Sequence, residues 1–441
     1  MKQSKHNIYY SPKEVRTILE RSIDTALDGL KCYCNDPVSD FTRCRKLPAR
    51  SLIECIMSFS NYSSIGELSH FFVGQGEMPS ASALSQRRQL LDPDIFKRIN
   101  NLFVSAFDDH TTINGYHILA QDGSDVNIPF MDDKTKTEKH DAKSFCQYHV
   151  NALYDCLNKV FYDWSIDAAS KKREVNALIS ILKDRNYPQN SIFTADRGYE
   201  SYNLMAHFIE NDIKFVIRVK DIHTKSGLMT NIKTEEGAFD IRVTRTLTSL
   251  QTKEIKADKE KYIFVTSTSN FDFLDETRDL YDLSFRAVRF KISEDTYETV
   301  VTNLSEEEFK TEDFKELYHY RWNEETAFNK LKYTIGLVYF HARKRKLIQQ
   351  EINAAFLMYN VSEVIIRNIY LKKNKKPELE YDYKPNFSSA VTNIRLYLRK
   401  KINMRELILR IKKFLVAQRP ERSYERNIKG QSCKPLNYRT S

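Results

Sequence analysis

The stretch Tyr318-His-Tyr-Arg-Trp-Asn-Glu-Glu-Thr-Ala-Phe-Asn-Lys-Leu-Lys332 contains neither Gly nor Pro, and its apolar residues recur at three- and four-residue spacing. That pattern predicts a helix. At about 100° per residue, Arg321, Glu325 and Lys332 fall within about 60° of Tyr318. One tyrosine, one acid and two bases therefore share a narrow stripe, with Leu317, Phe328, Leu331 and Ile335 beside it. Polar groups along the border of a buried face are held rigidly yet stay reachable. A solvated face with Glu-to-Lys support has the same composition, so this helix alone decides nothing about function.

The spacing Tyr-x2-Arg-x3-Glu-x6-Lys resembles the signature of bacterial insertion-sequence transposases of the insertion-sequence-four family. These are DDE enzymes, with two aspartates and a glutamate at the active site. The resemblance makes Glu325 the third acid and implies two aspartates upstream, each at the end of a strand. One departure stands out. The residue before the family's glutamate is usually apolar, whereas here it is Glu324, which points into the apolar face and competes for the role.

Upstream, Tyr116-His-Ile-Leu-Ala-Gln121 reads as a buried strand running into Asp122-Gly-Ser, a turn signal. A carboxylate there is placed by the sheet and exposed by the turn. An Asx-turn aspartate is the plain alternative, and Asp125 is a nearby competitor. Asp122 matches the family's Asp-Gly-Ser/Thr pattern. His149–Tyr154 and Val160–Ile166 predict two more strands and Lys172–Lys183 a helix. Ser191-Ile-Phe-Thr-Ala then runs into Asp196-Arg-Gly-Tyr, another strand ending in an aspartate, and Lys214–Lys220 follows as a fifth strand. A helix N-cap is the plain reading of Asp196; the Asp-Arg-Gly-Tyr run resembles the family's second acid motif. The order of three strands, helix, strand, helix, strand is what an α/β, ribonuclease-H-like core requires.

Between Asp196 and Glu325 the chain is longer than that core needs. Alternating segments predict a β-rich insertion at about 221–310, with Arg242, Arg245, Arg286, Arg289 and Lys291 expected on its outer faces. Residues 1–110 read as an all-helical DNA-binding region. In it Ser11-Pro-Lys-Glu opens a first helix, and Ser80–Leu91 has the look of a recognition helix presenting Arg87 and Arg88. The core spans 111–346. The rest, 347–441, is expected to be helical and basic: a long apolar helix, a linker over Lys372–Pro385, a last helix over Phe387–Ala417, and a basic run over Arg419–Lys429.

Net charge is +10, but unevenly spread. Leu371–Ser441 holds 19 Lys and Arg against 6 Asp and Glu, leaving 50 against 53 for the remainder. The positive surplus sits in the C-terminal block and points to a polyanion. Cys32-Tyr-Cys34 has the wrong spacing for a zinc knuckle. Scattered cysteines, a polar Met1–Glu20 and no apolar run of membrane-spanning length predict a reducing cytoplasm at the nucleoid.

The resemblance implies that Asp122, Asp196 and Glu325 hold two Mg²⁺ or Mn²⁺ ions for DNA cleavage and strand transfer. It implies that Tyr318, Arg321, Trp322, Lys332 and Arg197 contact DNA, with Arg87 and Arg88 doing so from the N-terminal region. The partners would be terminal inverted repeats, target DNA and a second copy of the chain, with no nucleotide cofactor and no membrane. Two alternatives share these residues: a transposase-derived DNA-binding protein without activity, and a metal-dependent nuclease that lacks strand transfer.

Overall fold

Helix α1 (Pro12–Asp28) begins where the sequence places its cap. The Ser11 hydroxyl accepts the Glu14 N–H, Glu14 accepts the Ser11 N–H at 2.7 Å, and Pro12 occupies the first turn. Helices α2 (Ala49–Met57), α3 (Ser64–Phe72), α4 (Ala81–Leu90) and α5 (Asp94–Val104) follow. The stretch expected to be all-helical also contributes a strand. β1 (Gln3–Lys5) pairs antiparallel with β2 (Thr111–Ile113) at the edge of the core. The computed structural model describes residues 1–441 except 6–7, 44, 75, 130–135, 138–144, 170–173, 223, 225, 267–268, 270, 276, 295, 370–382 and 418–441.

The core consists of β3 (His117–Ile128), β4 (Lys136–Thr137), β5 (Phe145–Asp155), β6 (Val160–Ala168), α6 (Glu174–Asp184), β7 (Ser191–Ala195), α7 (Tyr202–Glu210) and β8 (Lys214–Val219). β6, β5, β3, β7 and β8 lie side by side in that order. β5 runs antiparallel to both of its long neighbours, while β3, β7 and β8 are parallel. Along the chain, three long strands, a helix, a strand, a helix and a strand follow in the order the sequence predicts. β7, flanked on both sides, is buried along its whole length, as a strand inside a parallel sheet should be.

The β-rich insertion is not a separate body. β9 (Phe239–Thr248), β10 (Tyr262–Phe264), β11 (Leu280–Ser293) and β12 (Thr296–Thr302), with the short helix α8 (Lys253–Ala257), extend the same sheet to ten strands among the described residues. β12 pairs with β8, β11 with β12, and β9 with β11. This corrects the expectation for its arginines. Arg245, Arg286 and Arg289 are buried. Arg286 pairs with Asp240 at 2.5 Å, Arg289 makes a two-pronged pair with Asp221 at 2.9 Å, and Arg245 donates to backbone carbonyls, including that of Thr230 at 2.6 Å. Neighbouring segments cover both faces of these strands, Arg286 on one and Arg245 and Arg289 on the other, so the guanidiniums staple the loops instead of lining an outer surface. Arg242 and Lys291 remain exposed.

After the sheet come α9 (Asp313–His319), α10 (Trp322–Lys330) and α11 (Arg345–Arg367). α11, expected as a long apolar helix that packs back on the core, is buried on almost every side and lies between the N-terminal helices and β6. Trp164 stacks on Phe356 at 4.4 Å and donates to Asn353, while Asn360 reaches the backbone of Phe161. The predicted last helix is two, α12 (Phe387–Leu398) and α13 (Met404–Lys413). Lys400 turns the chain at φ 59°, and Asn403 caps α13. Short strands β13 (Tyr383–Pro385) and β14 (Leu415–Ala417) pair beside them. Most of the expected linker and the run Arg419–Lys429 lie outside the described residues. Among the described residues no helix is long and apolar enough to cross a membrane.

Candidate active site

The last pairing between β3 and β7 sets Gln121 opposite Ala195. The next residue on each strand is an aspartate. Asp122 and Asp196 therefore stand level at the C-terminal edge of the parallel strands, where reacting groups in α/β sheets collect. The Asp-Gly-Ser run is not the predicted turn, because β3 continues past it and stays paired with β5 as far as Ile128. Gly123 is needed for a different reason. A Cβ there would stand 2.3 Å from Nε2 of His149. Asp196 does act as a cap: one carboxylate oxygen accepts the Gly198 N–H at 2.7 Å over the 3₁₀ turn Arg197–Tyr199.

The signature stretch is not one continuous helix. α9 stops at His319 and α10 starts at Trp322, with tighter i→i+3 bonds between them, such as Arg321 N–H to Tyr318 O at 3.1 Å. Beyond Lys330 the helix widens into a π turn over Leu331–Ile335, ended by Gly336 at φ 125°. α10 nevertheless docks on β3 and brings Glu325 close to Asp122. Arg321 is only 4% exposed. Its guanidinium lies 3.9 Å from Asp122 Oδ2 and 3.5 Å from Glu325 Oε1, bridging the two acids. Tyr318 is 1% exposed and packs against it, which corrects the expectation that it contacts DNA; burial pushes the phenol up to about 12. Trp322 is 42% exposed, with Arg321 5.1 Å from its ring. Lys332 is half-buried on the π turn, and Arg197 is exposed directly after Asp196.

The two N-terminal arginines are placed elsewhere. Arg88 is 2% exposed and pairs with Glu351 of α11 at 2.7 Å. Arg87 stacks on Phe41 at 4.1 Å and donates to the Leu47 carbonyl at 3.1 Å. Arg88 does not present its charge to solvent, which corrects the expectation that it contacts DNA; Arg87 is half-buried and engaged with the 41–47 segment. α4 packs its C-terminal turn on α11 instead of projecting from the surface.

Burial pushes the Asp122 carboxyl up to about 6, with Asp196 and Glu325 adding repulsion; the Gly123 N–H and Arg321 act in the other direction. Glu324, the competitor for the third acid, is 0% exposed. Neither of its carboxylate oxygens has a hydrogen-bond partner among the described residues. Burial first, and the Asp122 charge second, push it well above the usual carboxylate range. A sealed carboxyl of this kind cannot reach a ligand in the cleft, whereas Glu325 is half-exposed and faces it. The pH dependence follows from the sign of the shift. The unfolded chain releases the Glu324 proton above about pH 4.3, while the folded chain keeps it, so folding is penalised increasingly as pH rises through that range. Glu324→Leu is expected to stabilise the protein at pH 8 by about 1–3 kcal/mol and by less at pH 4. Thermal melts at the two pH values check this. Wild type melting above the variant at pH 8 would show that Glu324 has a role the burial does not reveal.

Sequence reading passed over His149, which lies against Gly123. A signal was present: Gln147, His149 and Asn151 occupy alternate positions of an otherwise apolar strand, a polar stripe on one face of β5. Among the described residues no three His, Cys, Asp or Glu side chains stand close enough to enclose a metal ion. Asp122, Asp196 and Glu325 still fit a hard divalent cation by chemistry, since all offer carboxylate oxygens.

No curated protein sequence matches this chain. Among solved structures, it is similar to the piggyBac transposase in a cryo-EM synaptic complex with hairpin DNA, at 11% identity and a TM-score of 0.43, over 96% of this chain and 90% of that one. The sequence model of the transposase DDE domain matches residues 113–361, more than half of the chain and every acid described above, and the chain belongs to that family.

Proposed function

We propose that this protein is a cut-and-paste transposase of the insertion-sequence-four type, which binds the terminal inverted repeats of its element, cleaves there and transfers 3′ ends to target DNA. The level placement of Asp122 and Asp196 where the parallel pairing of β3 and β7 ends, with Glu325 linked to Asp122 through Arg321, carries this reading. In it the three carboxylates hold two Mg²⁺ or Mn²⁺ ions. When bound, such ions make water or a 3′-hydroxyl a better nucleophile and neutralise charge on the leaving oxygen.

The chain's own residues do the rest. Arg321, bridging Asp122 and Glu325, sets the spacing of the acids and offers its guanidinium to a phosphate. Tyr318, sealed beside Arg321, packs against its guanidinium and helps hold it in place. Trp322, with its exposed ring, stacks on an unpaired base near the cut. Arg197 and Lys332 meet the flanking phosphates. The basic C-terminal block supplies salt-dependent affinity, and two copies act together so that both element ends are processed. The work takes place on DNA in the cytoplasm.

The test is a strand-transfer assay with DNA carrying the repeats that flank the gene. The proposal expects Mg²⁺-dependent cutting at the repeat end followed by joining of that end to a plasmid. Cutting without joining would make the protein a nuclease, and repeat binding without cutting would make it a DNA-binding relative.

A further inference from the structure

His149 lies between two carboxylates. Its Nδ1 is 2.7 Å from Asp125 Oδ1, the residue opposite it on β3, and its Nε2 is 3.1 Å from Glu174 Oε1, the first residue of α6. The ring is 2% exposed. The ring also rests on Gly123, where even a Cβ would stand 2.3 Å from Nε2. At Gly198 a Cβ would meet Glu174 Oε2 at 3.3 Å and Asp196 Oδ1 at 3.0 Å. His149 thus touches the residue after Asp122 directly, and reaches the loop of Asp196 through Glu174.

We propose that His149 is a positioning residue which, together with Asp125 and Glu174, holds the Asp122 and Asp196 segments at their mutual distance. Three elements that are not covalent neighbours meet on this ring: β3 through Asp125, β5 through His149 itself, and α6 through Glu174. This accounts for both acids near the strand end. Asp122 faces Arg321 and Glu325, and Asp125 holds the imidazole. The catalytic consequence rests on the proposed function above; the positioning itself does not.

The first readout needs neither metal nor DNA. In His149→Gln, amide hydrogen exchange of the peptide covering residues 196–200 is expected to rise about tenfold, because the loop loses its anchor through Glu174. Exchange in α2 should not change. The second readout is Mn²⁺ affinity, measured by the electron paramagnetic resonance signal of the free ion, which is expected to weaken about 10–100-fold. The third is repeat-end cleavage, where kcat falls by a similar factor with DNA affinity retained. Glu174→Gln should reproduce all three, and the double variant should be little worse than either single, since the two residues act through one contact. Gly123→Ala, which displaces the ring without removing it, serves if His149→Gln does not fold. Unchanged exchange at 196–200 overturns the positioning. Faster exchange with unchanged Mn²⁺ affinity and kcat overturns its catalytic consequence. A wild type that neither binds Mn²⁺ nor cuts overturns the proposed function, while the exchange result still stands or falls by itself.

Discussion

Replacing Glu325 by alanine is expected to reduce repeat-end cleavage at least about a thousandfold, a loss of more than about 4 kcal/mol of transition-state stabilisation, while repeat binding stays within about twofold. The cleft offers few carboxylates, and Glu325 is the one that α10 contributes while half-exposed and 3.5 Å from Arg321. Its removal takes away a ligand position and also leaves Arg321 with Asp122 as its only nearby acid partner in this trio. DNA affinity comes mainly from cations meeting phosphates, so loss of an acid should not weaken it. Asp122→Ala and Asp196→Ala should behave alike. Glu324→Ala is the control: its side chain is sealed from the cleft, so cutting should persist. A cleavage assay on gel-purified repeat DNA, paired with a mobility-shift measurement, reads both quantities. Active Glu325→Ala with dead Glu324→Ala would transfer the role to Glu324 and mean that α10 rotates when DNA binds.

Arg88→Ala is expected to destabilise the protein by about 3–5 kcal/mol, the cost of leaving one member of a buried ion pair without its partner. Arg88 also donates to the Leu347 carbonyl at 2.7 Å and to Gln350 at 3.2 Å, and Gln350 returns two bonds of 2.7 Å to the backbone of Arg88 and Leu91. The contact ties α4 to α11, and through α11 to the sheet. Glu351 would keep only His341, at 3.1 Å. His341 is itself raised to about 9: burial acts against its charge, but Glu351 and Glu67 outweigh that. Lysine should not rescue, since an ammonium cannot reproduce the guanidinium fork. Thermal melts measure the loss. Below the melting transition, the salt dependence of DNA binding should match wild type. A normal melt together with a salt slope smaller by about one phosphate contact would return Arg88 to the DNA interface.

Much of the site was legible in sequence because strand ends and helix periodicity are local. The proposed acids Asp122 and Asp196 stand out from the strand-forming residues before them, and Glu325 from the resemblance of its spacing to Tyr318, Arg321 and Lys332. The errors share one cause. Arg88, Arg245, Arg286 and Arg289 look like surface cations in a linear reading, since arginine is seldom buried without a partner. Their partners, Glu351, Asp240, Asp221 and loop carbonyls, come from distant parts of the chain. The Asp-Gly-Ser run looked like a turn because glycine usually marks one. Here the glycine makes room for the His149 ring, which arrives on another strand.

The sequence by itself determined the order of strands and helices in the core and the cap that starts α1. These depend on side-chain period and on hydrogen bonds spanning only a few residues. Only the tertiary structure decided that the insertion continues the central sheet, that α11 joins the N-terminal helices to β6, and that Glu324, already aimed at the apolar face by helix period, is sealed there. Those outcomes depend on which surfaces exclude water together. Burial is a property of the packed whole, and neighbouring residues such as Glu324 and Glu325 acquire opposite environments only when α10 is pressed against β3.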